Sequence, residues 1–103
     1  MNLLKLFKTA KEFKGTPAEL QDKLKKIDDR VVSVGDDLSF VVKLDREIDV
    51  EDIARKFGGR EWKLYPFKKA YRFERGYIAV NGRFLRISRE IDEKILTAIQ
   101  EIL

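Results

Sequence analysis

Eight side chains in the second half of the chain have types suited to a polyanion. Lys68, Lys69, Arg72, Arg75, Arg83 and Arg86 are cations that can neutralise phosphates. Tyr77 and Phe84 add rings that can stack on unpaired bases or wedge between base steps. All eight fall between Arg60 and Arg89, a stretch holding seven of the eleven aromatic residues. It also holds nine basic against two acidic side chains, a local charge of +7 where the whole chain carries +4. The segments on either side, 31–59 and 90–103, each carry −3, and residues 1–30 carry +3. A field concentrated in this way favours a polyanionic partner or an acidic protein surface. No base-reading motif accompanies it, so the expected binding to nucleic acid is phosphate-dominated and weakly sequence-selective.

Catalytic chemistry has less to stand on. There is no cysteine and no histidine. That removes disulfides, thiolate chemistry, zinc sites of the Cys/His type and the usual general base near neutral pH. Nothing in the sequence calls for a cofactor or a resident metal. Asp28-Asp29 reads as a helix end and Glu51-Asp52 as a helix first turn. Gly58-Gly59 lacks the strand-then-helix setting of a phosphate loop.

Two short stretches resemble known families. Glu61-Trp62-Lys63, following a hairpin with Asp36 and Asp37, resembles the acidic-x-Lys half of the PD-(D/E)xK nucleases. That resemblance implies a divalent metal held by two carboxylates, with the lysine steadying the attacking water. Glu12-Phe13-Lys14 and Asp92-Glu93-Lys94 match the same pattern on predicted helices, as expected by chance in a chain with 39% charged residues. Arg75-Gly76-Tyr77 and Val80 resemble the first ribonucleoprotein motif of an RNA-recognition domain. Ala79 stands where that motif has its second stacking aromatic and Ile78 where it has a small residue, so its RNA-stacking residues are not carried over.

The elements that must position these residues are strands. Asn81-Gly82 lies between Tyr77–Val80 and Arg83–Ile87, and a type I′ turn needs φ > 0 at both central positions, which Asn-Gly tolerates. Opposed residues share a face and faces alternate. A two-residue loop at Asn81-Gly82 sets Val80 opposite Arg83 and Tyr77 opposite Arg86. Ile78, Val80, Leu85 and Ile87 then form a core face, with Tyr77, Ala79, Phe84, Arg86 and Ser88 on the other. Glu61–Tyr65 and Ala70–Glu74 are further strands, separated by Pro66 and a loop at Phe67-Lys68-Lys69. Tyr71 and Phe73 point inward and Arg72 outward.

Upstream, an amphipathic basic helix is expected over about residues 2–14, possible as a peripheral element. A second helix opens at the capping box Thr16-Pro17-Ala18-Glu19 and runs to about Asp28. A hairpin around Gly35-Asp36-Asp37 is expected to bury Val32, Val34, Leu38, Phe40 and Val42. A short helix follows, capped by Asp49 over Val50–Phe57 and closed by Gly58. Ser88 is expected to cap a last helix from Arg89 to Leu103. The sum is one α+β domain over residues 1–103. Its antiparallel sheet has five or six hairpin-connected strands, with helices packed on one face, in the order α-α-β-β-α-β-β-(β)-β-α.

The composition is rich in charge and poor in Asn, Gln and Met, as in hyperthermophile proteins. With no membrane-length apolar run and no signal-peptide pattern at the start, an intracellular, cytoplasmic protein is expected. Against the nucleic-acid reading stands a protein-interaction or homodimeric module, in which a second subunit covers Tyr77 and Phe84. What lies over that face discriminates the two.

Overall fold

A computed structural model describes residues 1–103. Ten elements run in the order α1 (Leu3–Glu12), α2 (Pro17–Ile27), β1 (Val31–Val34), β2 (Phe40–Lys43), α3 (Glu51–Lys56), β3 (Arg60–Leu64), β4 (Phe67–Arg72), β5 (Tyr77–Asn81), β6 (Phe84–Ile87) and α4 (Glu93–Ile102). The six strands form one antiparallel sheet in the order β1-β2-β6-β5-β4-β3. Four of the five pairings are hairpins between successive strands. The fifth, β2 with β6, joins the first hairpin to the remaining four strands.

The helices lie on one face, and the reason is visible in the pattern of burial. Leu3, Leu6, Phe7 and Ala10 of α1, Leu20 and Leu24 of α2, Ala54 of α3, and Ile95, Leu96 and Ile99 of α4 all enter one core cluster. They meet Val31, Phe40, Val42, Tyr71, Ile78, Val80, Leu85 and Ile87 from the strands. At about 25 cal/mol per Å² of buried apolar surface, full burial of side chains this size contributes roughly 1.5–3 kcal/mol each. The N-terminal helix is therefore part of the helical layer, its apolar stripe fully buried. No helix is long and apolar enough to cross a membrane. The Cα radius of gyration is 12.5 Å, close to the roughly 13 Å of a compact 100-residue domain.

The capping box forms as the sequence predicts. Thr16 Oγ1 accepts from the Glu19 amide at 3.2 Å, and Glu19 Oε1 accepts from the Thr16 amide at 3.2 Å. Gly58 takes φ of 74° just beyond α3, closing it as expected.

Four local expectations are corrected. The β5–β6 turn is Gly82-Arg83, with Asn81 paired to Phe84, Val80 to Leu85 and Ala79 to Arg86. Gly82 has φ of 60° and Arg83 is not in the positive region, so only the first central residue needs glycine, as in a type II′ turn. This register is two residues from the expected one, and a two-residue slip leaves every side chain on its expected face. In the first hairpin the register shifts between Val31 and Ser33. That bulge sends Val31 into the core and leaves Val32 40% exposed, the reverse of the expected burial of Val32. Phe67-Lys68-Lys69 belongs to strand β4 and not to a loop, because the turn is only Tyr65-Pro66, with a cis bond between them. The last helix starts at Glu93, capped by Asp92, whose carboxylate accepts from the Lys94 amide at 2.9 Å. Ser88 instead accepts from the Glu90 amide at 3.2 Å in a turn that precedes the helix.

Candidate nucleic-acid interface on the open sheet face

The pairings define what the face opposite the helices carries. One row across the sheet reads Ser33, Val41, Arg86, Ala79, Ala70, Trp62 from β1 to β3. On one side of it lies the row Lys43, Phe84, Asn81. On the other lies the row Tyr77, Arg72, Arg60. Alternation along β4 adds Lys68 to this face, two residues from Ala70. Val41, Ala70 and Ala79 are buried yet lie outside the core cluster under the helices. They are the floor of the open face, covered by side chains of the face itself and by the loops that reach over its ends.

Those coverings are aromatic and cationic. With only methyl groups at Ala70 and Ala79, the Trp62 indole can reach across β4 to Tyr77 on β5. The two rings meet edge to face, 5.2 Å between centroids at 62°. The Arg72 guanidinium lies 5.5 Å from the Trp62 ring and that of Arg86 lies 6.0 Å from the Tyr77 ring. On the neighbouring strands Lys43 Nζ stands 5.9 Å from the Phe84 ring, and Phe84 is 37% exposed. The result is a cation–π array running from β3 to β2 over a floor of small residues.

Charge on the face is one-sided. Glu61 is the only acidic residue in the six strands, and it pairs with Tyr71 on the helix side. The open face carries Lys43, Arg60, Lys68, Arg72 and Arg86. Asp37, from the β1–β2 loop, brings a carboxylate into it, and Glu74, just past β4, shares a recess with Arg60, Trp62 and Arg72. Asp37 accepts from the Tyr77 hydroxyl at 2.7 Å, from Ser39 Oγ at 2.5 Å and from Arg86 Nη2 at 3.4 Å. Arg86 Nε also donates to Ser39 Oγ at 2.9 Å and to the Tyr77 oxygen at 3.0 Å. Partial burial works to raise the Asp37 carboxyl pKa. The hydrogen bonds from Ser39 and Tyr77 and the Arg86 charge outweigh it and hold the group below the usual aspartate range. Burial pushes the Tyr77 phenol up, and its bond to the Asp37 carboxylate adds to that. Tyr77 therefore stays neutral and keeps donating.

The eight residues singled out from the sequence divide three ways. Lys68, Arg72, Tyr77, Phe84 and Arg86 share the open face, although Arg86 is committed to Asp37, Ser39 and Tyr77. Arg75 and Arg83 are exposed in the turns at opposite ends of β5. Lys69 pairs with Val80 and lies on the helix side, apart from the others. Trp62, Arg60, Lys43 and Asn81 join the face without having been singled out. For Lys43, Arg60 and Trp62 the signal was the alternation in β2 and β3, which cannot be anchored to a face until the pairings are known, whereas Asn81 was expected in the turn and instead ends β5.

A protein of Archaeoglobus fulgidus, described as uncharacterized, is 52% identical to this chain over 101 residues, covering 98% of the chain and 93% of that protein. The chain belongs to its family. No family model matches the chain, and no solved structure matches it.

The nuclease pattern is not assembled. Glu61 lies on the helix side of the sheet, whereas Asp37 is bonded to Tyr77 and Arg86 of the open face. No group of three or more acidic side chains stands close enough to hold a metal ion. A recess of about 760 Å³ wraps the β3–β4 hairpin, where Glu51 and Glu61 are set against Lys63, Lys68 and Lys69. Its near balance of charge gives no field for an ionic ligand. Burial, with the charges of Glu51, Asp49 and Glu61, pushes the Tyr71 phenol up there, so Tyr71 offers no base.

Proposed function

We propose that the protein binds nucleic acid, without catalysis, through the open face of its sheet. The observation that carries this is the pairing of Trp62, Tyr77 and Phe84 with five cations on a surface no helix covers. Lysine and arginine neutralise phosphates, and rings on a sheet offer stacking surface that every base can use. Lys43, Arg60, Lys68 and Arg72 supply the charge, with Arg75 and Arg83 at the margins. Binding of this kind is dominated by phosphate contacts and weakly sequence-selective. It suits a cytoplasmic protein that meets RNA or DNA.

Protein self-association is the rival reading, since Phe84 and Val32 leave apolar surface exposed. A two-fold interface opposes each patch to its own copy. Here that would bring five cations against five cations with only the Asp37 and Glu74 carboxylates of the two copies between them, and Asp37 is already paired. A polyanion suits the face better than a second copy does.

The test is a titration of labelled oligonucleotides at several salt concentrations. Four to six phosphate contacts give log K falling with log salt at a slope of roughly −3 to −5. Absence of binding at about 50 mM salt and about 10⁻⁴ M protein contradicts the proposal.

A further inference from the structure

A cleft of about 320 Å³ opens on the same face, between the Phe84 ring and the Tyr65-Pro66 turn. Ser33, Val41 and Arg86 also line it, and Asn81 stands at its side. Pro66 belongs to the turn of the β3–β4 hairpin, while Ser33 and Val41 belong to strands at the other edge of the sheet. The hairpin end therefore reaches over the face and makes a recess where the rest is a platform. Its size is near the lower bound of the roughly 300–1,000 Å³ typical of small-ligand sites.

We infer that this cleft takes one unpaired nucleobase, and that the ligand of the open face is single-stranded. This rests on the nucleic-acid reading above and goes beyond it in naming the form of the nucleic acid. The chemistry of the lining supports a base. Phe84 offers a ring for stacking, and Val41 gives an apolar floor. Asn81, with both a donor and an acceptor on its carboxamide, can meet the polar edge of any base. The Arg86 guanidinium, fixed by Asp37, Ser39 and Tyr77, is a rigid planar wall and not a mobile charge. Lys43 beside Phe84 and Lys68, on the strand next to Asn81, flank the cleft where the phosphates of an inserted nucleotide would run.

Spacing on the sheet agrees. Trp62 and Phe84 lie three strands and two residues apart, which is about 16 Å at ordinary strand spacing and rise. At about 3.4 Å per nucleotide this is roughly five nucleotides of a stacked strand, and fewer of a stretched one. One strand can thus stack at Trp62 and insert a base at Phe84. A duplex keeps its bases in the stack and presents only phosphates to both places.

The experiment compares three probes by quenching of Trp62, the single tryptophan. They are an oligothymidylate of about ten nucleotides, a duplex of equal phosphate count, and an oligomer of the same length with abasic sugars. The inference expects the oligothymidylate to bind about tenfold or more tighter than either of the others. It expects Phe84→Ala to lower that affinity about tenfold with an unchanged salt slope, and Phe84→Tyr to restore it. Equal binding of the abasic and thymidine strands, or preference for the duplex, overturns the inference and leaves the general proposal standing. Failure of all three probes to bind at about 50 mM salt overturns both. The abasic comparison needs no variant, so a folding defect in Phe84→Ala does not blunt the test.

Discussion

The Tyr77 hydroxyl donates a 2.7 Å hydrogen bond to the Asp37 carboxylate, joining β5 to the β1–β2 loop across forty positions of sequence. The same carboxylate receives Arg86 from β6 and Ser39 from its own loop. One acidic side chain thus fixes an arginine and a tyrosine in the middle of an otherwise cationic face. The face owes its shape to this bond as much as to the strands.

Loss of that carboxylate loosens the loop. Asp37→Asn is expected to lower stability by about 1 kcal/mol, the value of charge-assisted hydrogen bonds discounted for a half-exposed group. Folding lowers the Asp37 pKa, so the native state holds the ionised form more tightly. This contribution is full above the ordinary aspartate range and disappears as pH falls through the folded-state value. Denaturant midpoints measured down an acid series should therefore fall less steeply in Asp37→Asn than in the parent protein.

Lys68 and Lys69 are neighbours in sequence on opposite faces of β4. Lys68→Glu is expected to weaken oligonucleotide binding several-fold and to reduce the salt slope by about 1 to 2. Lys69→Glu, on the helix side, should change the affinity far less and leave the slope close to that of the parent. Similar effects from both variants would show that binding does not use the open face.

Gly76 adopts φ of 77°, and a Cβ there would stand 2.6 Å from the Ile91 backbone nitrogen and 2.9 Å from the Glu90 carbonyl carbon. Both neighbours are backbone and cannot step aside cheaply. Gly76→Ala should cost about 2 kcal/mol or more by chemical denaturation, from the strained φ and the clash together. Gly82, at φ of 60°, has only the Glu47 carboxylate within 4 Å, at 3.6 Å. Gly82→Ala should therefore cost distinctly less than Gly76→Ala.

At the start of α2, Thr16→Ala removes the acceptor for the Glu19 amide and half of the reciprocal cap. The expected loss is about 1 kcal/mol in a thermal or denaturant melt, with binding unchanged, because α2 lies on the covered side of the sheet.

Much of this was legible in the sequence because period and capping are local signals. Thr16 to Glu19 announces a helix start, and Ile78, Val80, Leu85 and Ile87 announce a core face. Even the misplaced turn at Asn81-Gly82 kept each side chain on its face, since the slip was by two. What was not legible depends on pairing. The bulge near Val32 reverses the burial of two valines that look alike in sequence. Whether Trp62 or Lys69 shares a face with Arg72 is settled only by the strand beside it. Asp37 reads as a turn residue, and nothing within ten positions shows that it will meet Tyr77 and Arg86. Ser88 has the chemistry of a helix cap, but Asp92, four residues later, starts the helix.

Binding of nucleic acid to the open face is read most directly from the emission of Trp62 during titration with an oligonucleotide at stepped salt concentrations. Trp62 sits on the open face between Arg72 and Tyr77, so a ligand stacking there must alter its fluorescence. Saturable quenching is expected at about 50 mM salt, weakening as salt rises, with a log–log slope of roughly −3 or steeper. Unchanged emission and no complex at that salt, with protein at about 10⁻⁴ M, would contradict such binding.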